Sequence, residues 1–140
     1  MSKVTVKTAG GLYTQEISSG GHNWVADEPT NLGGQNRGPT PYEQMLGAIG
    51  ACTGITVQMY AKRKGWPLES VDVELTHRRI HARDCEDCDS KEGFVSVIDF
   101  RVGFGGGLSQ EQLERLFEIA GKCPVKKTVE GEVRFRLELA

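Results

Sequence analysis

The stretch from Thr40 to Gly65 constrains this chain more than any other. Thr40-Pro41-Tyr42-Glu43 is a capping box with proline at the first helical position. At the far end, Lys62-Arg63-Lys64 and then Gly65 place positive charge and a helix-ending residue. About 24 residues at 1.5 Å each give a helix about 36 Å long. Between Met45 and Tyr60 it is apolar nearly all the way round, which predicts burial on every side. Gly47, Gly50 and Gly54 each cost such a helix up to about 1 kcal/mol, so close approach of another backbone is expected in return. A chain of 140 residues has the size of one ordinary domain, residues 1–140. Covering so apolar a helix exceeds what that domain supplies alone, and a homodimer sharing the helix is the simplest remedy.

The remaining elements read as α+β. Short apolar runs at Val4–Val6, Leu12–Ile17 and His22–Ala26, divided by glycine turns, predict an N-terminal β-meander. Residues 27–39 carry turn formers without periodicity and read as a loop. Val71, Val73 and Leu75 alternate with polar residues in a strand continuing through Arg79 toward His81, and residues 94–104 form its neighbour. The acidic run DCEDCDSKEG connects the two as the tip of an extended hairpin. Ser109-Gln110-Glu111-Gln112 is a second capping box, and it starts a helix with Leu113, Leu116, Phe117 and Ala120 on one face. Cys123 follows three residues after Ala120, so it is expected to point inward, with Pro124 stopping the helix. Val133, Phe135, Leu137 and Leu139 alternate with charges in a closing strand. The whole is two helices against a largely antiparallel sheet.

Charge and hydropathy exclude some partners. The net charge of −2 is spread without a Lys/Arg block, which argues against nucleic acid and anionic lipid. No stretch reaches the roughly 18 to 20 apolar residues of a membrane span, and the first residues lack a signal-peptide pattern. A cytoplasmic location is therefore expected. In a reducing compartment, four cysteines read better as reactive or metal-binding groups than as permanent bridges.

Two thiols sit in apolar settings: Cys52 in GAIGACTGI and Cys123 in GKCPVKKT. Free cysteine also packs well as a small apolar side chain, so a structural reading stands beside a reactive one. Lys122, Lys126 and Lys127 favour a thiolate at Cys123. The pair Cys85 and Cys88 differs, because Asp84, Glu86, Asp87 and Asp89 disfavour a thiolate by like-charge repulsion. Three readings stay open there: zinc, with His81 or His77 adding to the two thiolates; a reversible local disulfide; and an exposed tip without chemistry.

The sequence P-T-P-Y-E-Q-M-L-G-A-I-G-A-C-T, followed 71 residues after its cysteine by C-P-V-K-K-T, resembles the OsmC/Ohr family. A β-meander before the first motif and an L-S-x-E-Q-x-x-R-L helix between the two strengthen the resemblance. It implies an intertwined α+β homodimer and a thiol peroxidase that reduces organic hydroperoxides. Cys52 is then the peroxidatic cysteine and Cys123 the resolving one, with an external dithiol as reductant and no bound cofactor. The family's peroxidases carry an arginine after a glycine pair in the first hairpin, where this chain has Leu12 after Gly10-Gly11. Their orienting glutamate directly follows the helix-start proline, where this chain has Tyr42, with Glu43 one step later. Glu43 thus becomes the candidate acid, and Arg37 and Arg79 the candidate cations for Cys52. The alternative is an OsmC-like binding protein for a small apolar ligand, its cysteines structural.

Overall fold

The computed structural model describes residues 1–140 and divides into two compact units, Met1–Met45 and Leu46–Ala140. In the first unit, β1 (Thr5–Thr8), β2 (Gln15–Ser19) and β3 (His22–Ala26) form an antiparallel sheet in the order β1-β2-β3. Ile17 faces both Val6 and Trp24 across the ladders. This is the expected meander.

The loop after β3 is more tightly built than its composition suggests. Asp27 is only 2 % exposed. Its carboxylate accepts from the Thr14 hydroxyl at 3.0 Å, the Glu28 amide at 2.8 Å and the Arg37 amide at 3.3 Å. Burial pushes the Asp27 carboxyl up, but these bonds and one from the Gln35 amide outweigh it and hold it below its ordinary value. At Gly38 a side chain would strike the Val25 carbonyl, so the loop returns flush against β3.

Helix α1 (Pro41–Lys64) has the length its end signals predict. Thr40 and Glu43 form the reciprocal cap: the Thr40 amide donates to Glu43 Oε2 at 2.9 Å and the Glu43 amide to Thr40 Oγ1 at 3.3 Å. Burial on every side does not hold within one chain. Only the i, i+4 stripe Ile49, Thr53, Val57 and Ala61 is buried, while Ile55 is 55 % and Met59 68 % exposed. One chain has only enough cover for one side of this helix.

In the second unit, β4 (Leu68–His81) and β5 (Phe94–Gly106) pair as a long antiparallel hairpin. Val71, Val102 and Phe104 pack against the core formed by Val57 and Ala61 of α1 and Leu116, Ile119 and Ala120 of α2 (Gln110–Ala120). A two-stranded ribbon is marginal by itself, and this packing supports it. The Ser109–Gln112 box caps α2 as expected. Ile119 is buried in place of Phe117, which is 65 % exposed. Arg115 ties α2 to α1, its Nε donating to Tyr60 Oη at 3.0 Å.

Two expectations need correction here. Pro124 does not merely stop α2; it begins α3 (Pro124–Glu130), with Cys123 as the N-cap. Proline at the first helical position suits a helix start, because its missing N–H is one that a helix leaves unbonded. The alternating C-terminal residues form no strand in this chain, and Phe135, Leu137 and Leu139 are 85 %, 95 % and 97 % exposed. Alternation alone makes no strand without an edge to pair with. No helix is long and apolar enough to cross a membrane.

Candidate functional site

Cys52 and Cys123, 71 residues apart in the chain, meet in the second unit. Cys52 lies on α1 beside the buried stripe and is half-buried, while Cys123 is fully buried; both are free thiols. Two hydroxyls flank them. Thr53 Oγ1 donates back to the Ile49 carbonyl at 2.9 Å, and Thr56 Oγ1 donates to the Cys52 carbonyl at 2.7 Å while lying 4.0 Å from Cys52 Sγ. Such i−4 bonds satisfy hydroxyls inside a helix and fix their rotamers. The Cys123 thiol reaches the same Ile49 carbonyl at 3.8 Å.

The electrostatics of Cys123 follow from its place at the start of α3. Burial pushes its thiol up, but hydrogen bonding to Cys52, the Lys126 amide, Thr53 and the Val125 amide outweighs this and holds it below the ordinary thiol value. The Lys126 amide stands 3.5 Å from the sulfur. Unbonded helix amides do here what the neighbouring lysines were expected to do. The Lys126 ammonium is engaged elsewhere, pairing with Glu130 at 2.6 Å.

The other predicted residues occupy separate places. Glu43 accepts from the Thr40 amide in the cap of α1. Arg37 lies in the first unit, its Nη1 donating to the Gly10 carbonyl at 3.1 Å. Arg79 continues the inward parity of Val73 and Leu75 but is exposed, its guanidinium 5.2 Å from the centre of the Phe94 ring. A cavity of the second unit, about 510 Å³, is a groove along α1 and β4 lined by neither cysteine. Gly47, Gly50, Gly54, Ala51, Ile55 and Leu75 are among its walls. At Gly50 a side chain would come within 2.9 Å of Leu75, so this glycine serves the approach of β4 to α1, whereas Gly47 and Gly54 face open space.

At the hairpin tip, Cys85 and Cys88 are joined in a disulfide. The third metal-ligand atom beside them belongs to Asp87, not to His81. His81 stacks on Phe94 with ring centres 4.3 Å apart, and His77 Nε2 is 3.0 Å from Ser96 Oγ.

The family model described as OsmC-like protein matches residues 34–138. The chain belongs to the OsmC-like family. Solved structures share the fold of this OsmC-like protein at low identity. An OsmC-like protein from Mycoplasma pneumoniae has a TM-score of 0.73 at 17 % identity, covering 94 % of this chain and 88 % of that one. An organic hydroperoxide resistance protein OsmC from Legionella pneumophila has 0.65 at 18 %, covering 94 % and 90 %. An organic hydroperoxide resistance protein from Elizabethkingia anophelis, with thiocyanate bound, has 0.63 at 18 %, covering 94 % and 89 %. No curated protein matches the sequence significantly.

Sequence reasoning missed Thr53, Thr56 and the cap role of Cys123. The C-P dipeptide was the available signal for the last, since proline favours the first helical position and cysteine then falls at the N-cap.

Proposed function

We propose that this OsmC-like protein is a thiol peroxidase that reduces organic hydroperoxides through Cys52 and Cys123. The observation that carries the reading is the meeting of a half-buried thiol, Cys52, with a fully buried one, Cys123, placed to close a disulfide with it. Cys52 thiolate attacks the O–O bond, and the alkoxide leaves with a proton as alcohol, making Cys52 a sulfenic acid. The Cys123 thiolate then attacks the Cys52 sulfur and releases water, closing a Cys52–Cys123 disulfide. A dithiol reductant returns two electrons and two protons. Apolar surroundings suit hydroperoxides with hydrocarbon tails. Arg79, in the same unit as Cys52, is the candidate for supplying a cation to its thiolate.

The active form is a homodimer. The exposed face of α1, with Ile55 and Met59, and the bare backbone at Gly47 and Gly54 suit the close approach of a second copy. The unpaired residues 133–139 likewise find in that copy the sheet edge they lack. Steady consumption of a dithiol with cumene hydroperoxide by the wild type, and none by C52S, is the expected assay result. Equal rates in the two proteins would remove Cys52 from the reaction.

A second reading, a binding protein for a small apolar ligand, is favoured by the groove of about 510 Å³ with its apolar walls and by Leu12 where the family's peroxidases carry arginine. It predicts thiols inert to hydroperoxide and a ligand that copurifies with the protein.

A further inference from the structure

The peroxidase reading makes no use of the β4–β5 tip, yet the tip has a problem of its own. Between the strands, residues 82–93 bury only Ala82. The base is closed by bonds from the Ala82 amide to the Gly93 carbonyl at 2.9 Å and from the Cys85 amide to the Ala82 carbonyl at 3.1 Å. Beyond the base, Lys91 reaches the Cys88 carbonyl at 3.3 Å and Cys85 Sγ lies 3.4 Å from Asp87 Oδ1. With no apolar anchor, the turn at Cys85–Cys88 depends on its crosslink.

Breaking that crosslink leaves two thiols and a carboxylate in one place. The ligand atoms of Cys85, Asp87 and Cys88 lie within 4.8 Å of one another. Two thiolates bound tetrahedrally at about 2.3 Å are about 3.8 Å apart, so side-chain adjustment alone brings the set to ligating distance. Charge points the same way. Asp84, Glu86 and Asp89 flank these groups in sequence and outnumber the nearby cations Arg83 and Lys91, so the local charge repels free thiolates and attracts a divalent cation. Sulfur ligands select zinc and its soft relatives over magnesium or calcium.

We propose that the hairpin tip is a thiolate metal site, in which Cys85, Asp87 and Cys88 of the reduced protein hold one zinc-class divalent cation. Three protein ligands leave the fourth position to solvent. Site and disulfide are alternative crosslinks of the same turn. A dithiol donates two electrons and two protons to the Cys85–Cys88 bond, giving two thiols, and the metal then displaces both thiol protons. The disulfide form of the same dithiol reverses the exchange: it takes up two electrons and two protons to become the dithiol again, while the Cys85–Cys88 bond re-forms and the cation is released.

Anaerobic cobalt(II) titration of the reduced C52S/C123S chain tests this without interference from the other cysteines. Thiolate-to-cobalt charge-transfer absorption that saturates at one cobalt per chain is expected, with none when the tip disulfide is intact. C85S/C88S should lose the absorption. D87N should keep it with affinity at least about 10-fold weaker, the lower end of what even outer-shell partners contribute. Absence of the absorption in the reduced chain, its persistence in C85S/C88S, or unchanged affinity in D87N overturns the site as stated. If C52S/C123S fails to fold, the difference between reduced wild type and C85S/C88S gives the same readout.

Discussion

The two cysteine pairs differ in spacing, in surroundings and in bonding. Cys85 and Cys88 are three residues apart, in an acidic loop with almost no buried surface, and are joined. Cys52 and Cys123 come from distant parts of the sequence, meet against a packed core, and are free. The first pair is conspicuous to a motif search and the second is not. Sequence spacing announces which sulfurs can reach each other locally, but hydrogen bonding and charge decide which can become a thiolate.

Exchanging the pairs' cysteines for serine gives the largest contrast. C52S should lower turnover of an organic hydroperoxide by at least about 10³-fold, as expected on loss of a nucleophile. C85S/C88S should stay within about twofold of wild type, as for surface changes away from the chemistry. A steady-state assay of both decides it, and comparable losses would merge the two regions into one function.

Stability gives the next contrast. Leu116 is fully buried in the core shared by α1 and α2, so Leu116→Ala should cost about 2–5 kcal/mol in chemical denaturation. The Cys85–Cys88 bridge closes a loop so short that opening it should cost no more than about 2 kcal/mol. Reduction that destabilised the C52S/C123S chain as much as L116A would show that the tip supports the core.

The smallest effect is in pH. Cys123 has a folded pKa below its unfolded one, near 8.5 for an ordinary thiol. Its contribution to stability is therefore fully present above the unfolded value and is lost as pH falls through the lowered folded value. The stability difference between wild type and C123S should grow as pH rises through that window and be level below it. Urea unfolding of both across the mildly alkaline range measures this, and a difference that shrinks with rising pH would contradict the assigned hydrogen bonds.

Much of the fold was legible because its signals are local. Thr40–Glu43 and Ser109–Gln112 state where two helices begin, and both boxes form. The meander and the long hairpin follow from apolar runs and alternation. What escaped depends on partners distant in sequence. Nothing in D-E-P reveals that Asp27 will be buried and bound by Thr14 and the Arg37 amide. The alternation at Val133–Leu139 was visible, but the absence of a neighbouring strand in the same chain was not. In the same way, apolarity all round α1 was plain, while the side one chain leaves open was not. The pairing of Cys52 with Cys123 came from family resemblance. No local pattern spans 71 residues, and the start of the seven-residue helix that Cys123 caps was read only as the end of its predecessor.

The central claim is that the distant pair, not the adjacent one, carries the peroxide chemistry. Peptide mapping after one equivalent of cumene hydroperoxide, added to protein reduced at all four cysteines, tests it most directly. A Cys52–Cys123 linkage formed ahead of any Cys85–Cys88 linkage is the predicted result. Persistence of both core thiols, or oxidation of the tip alone, would contradict it.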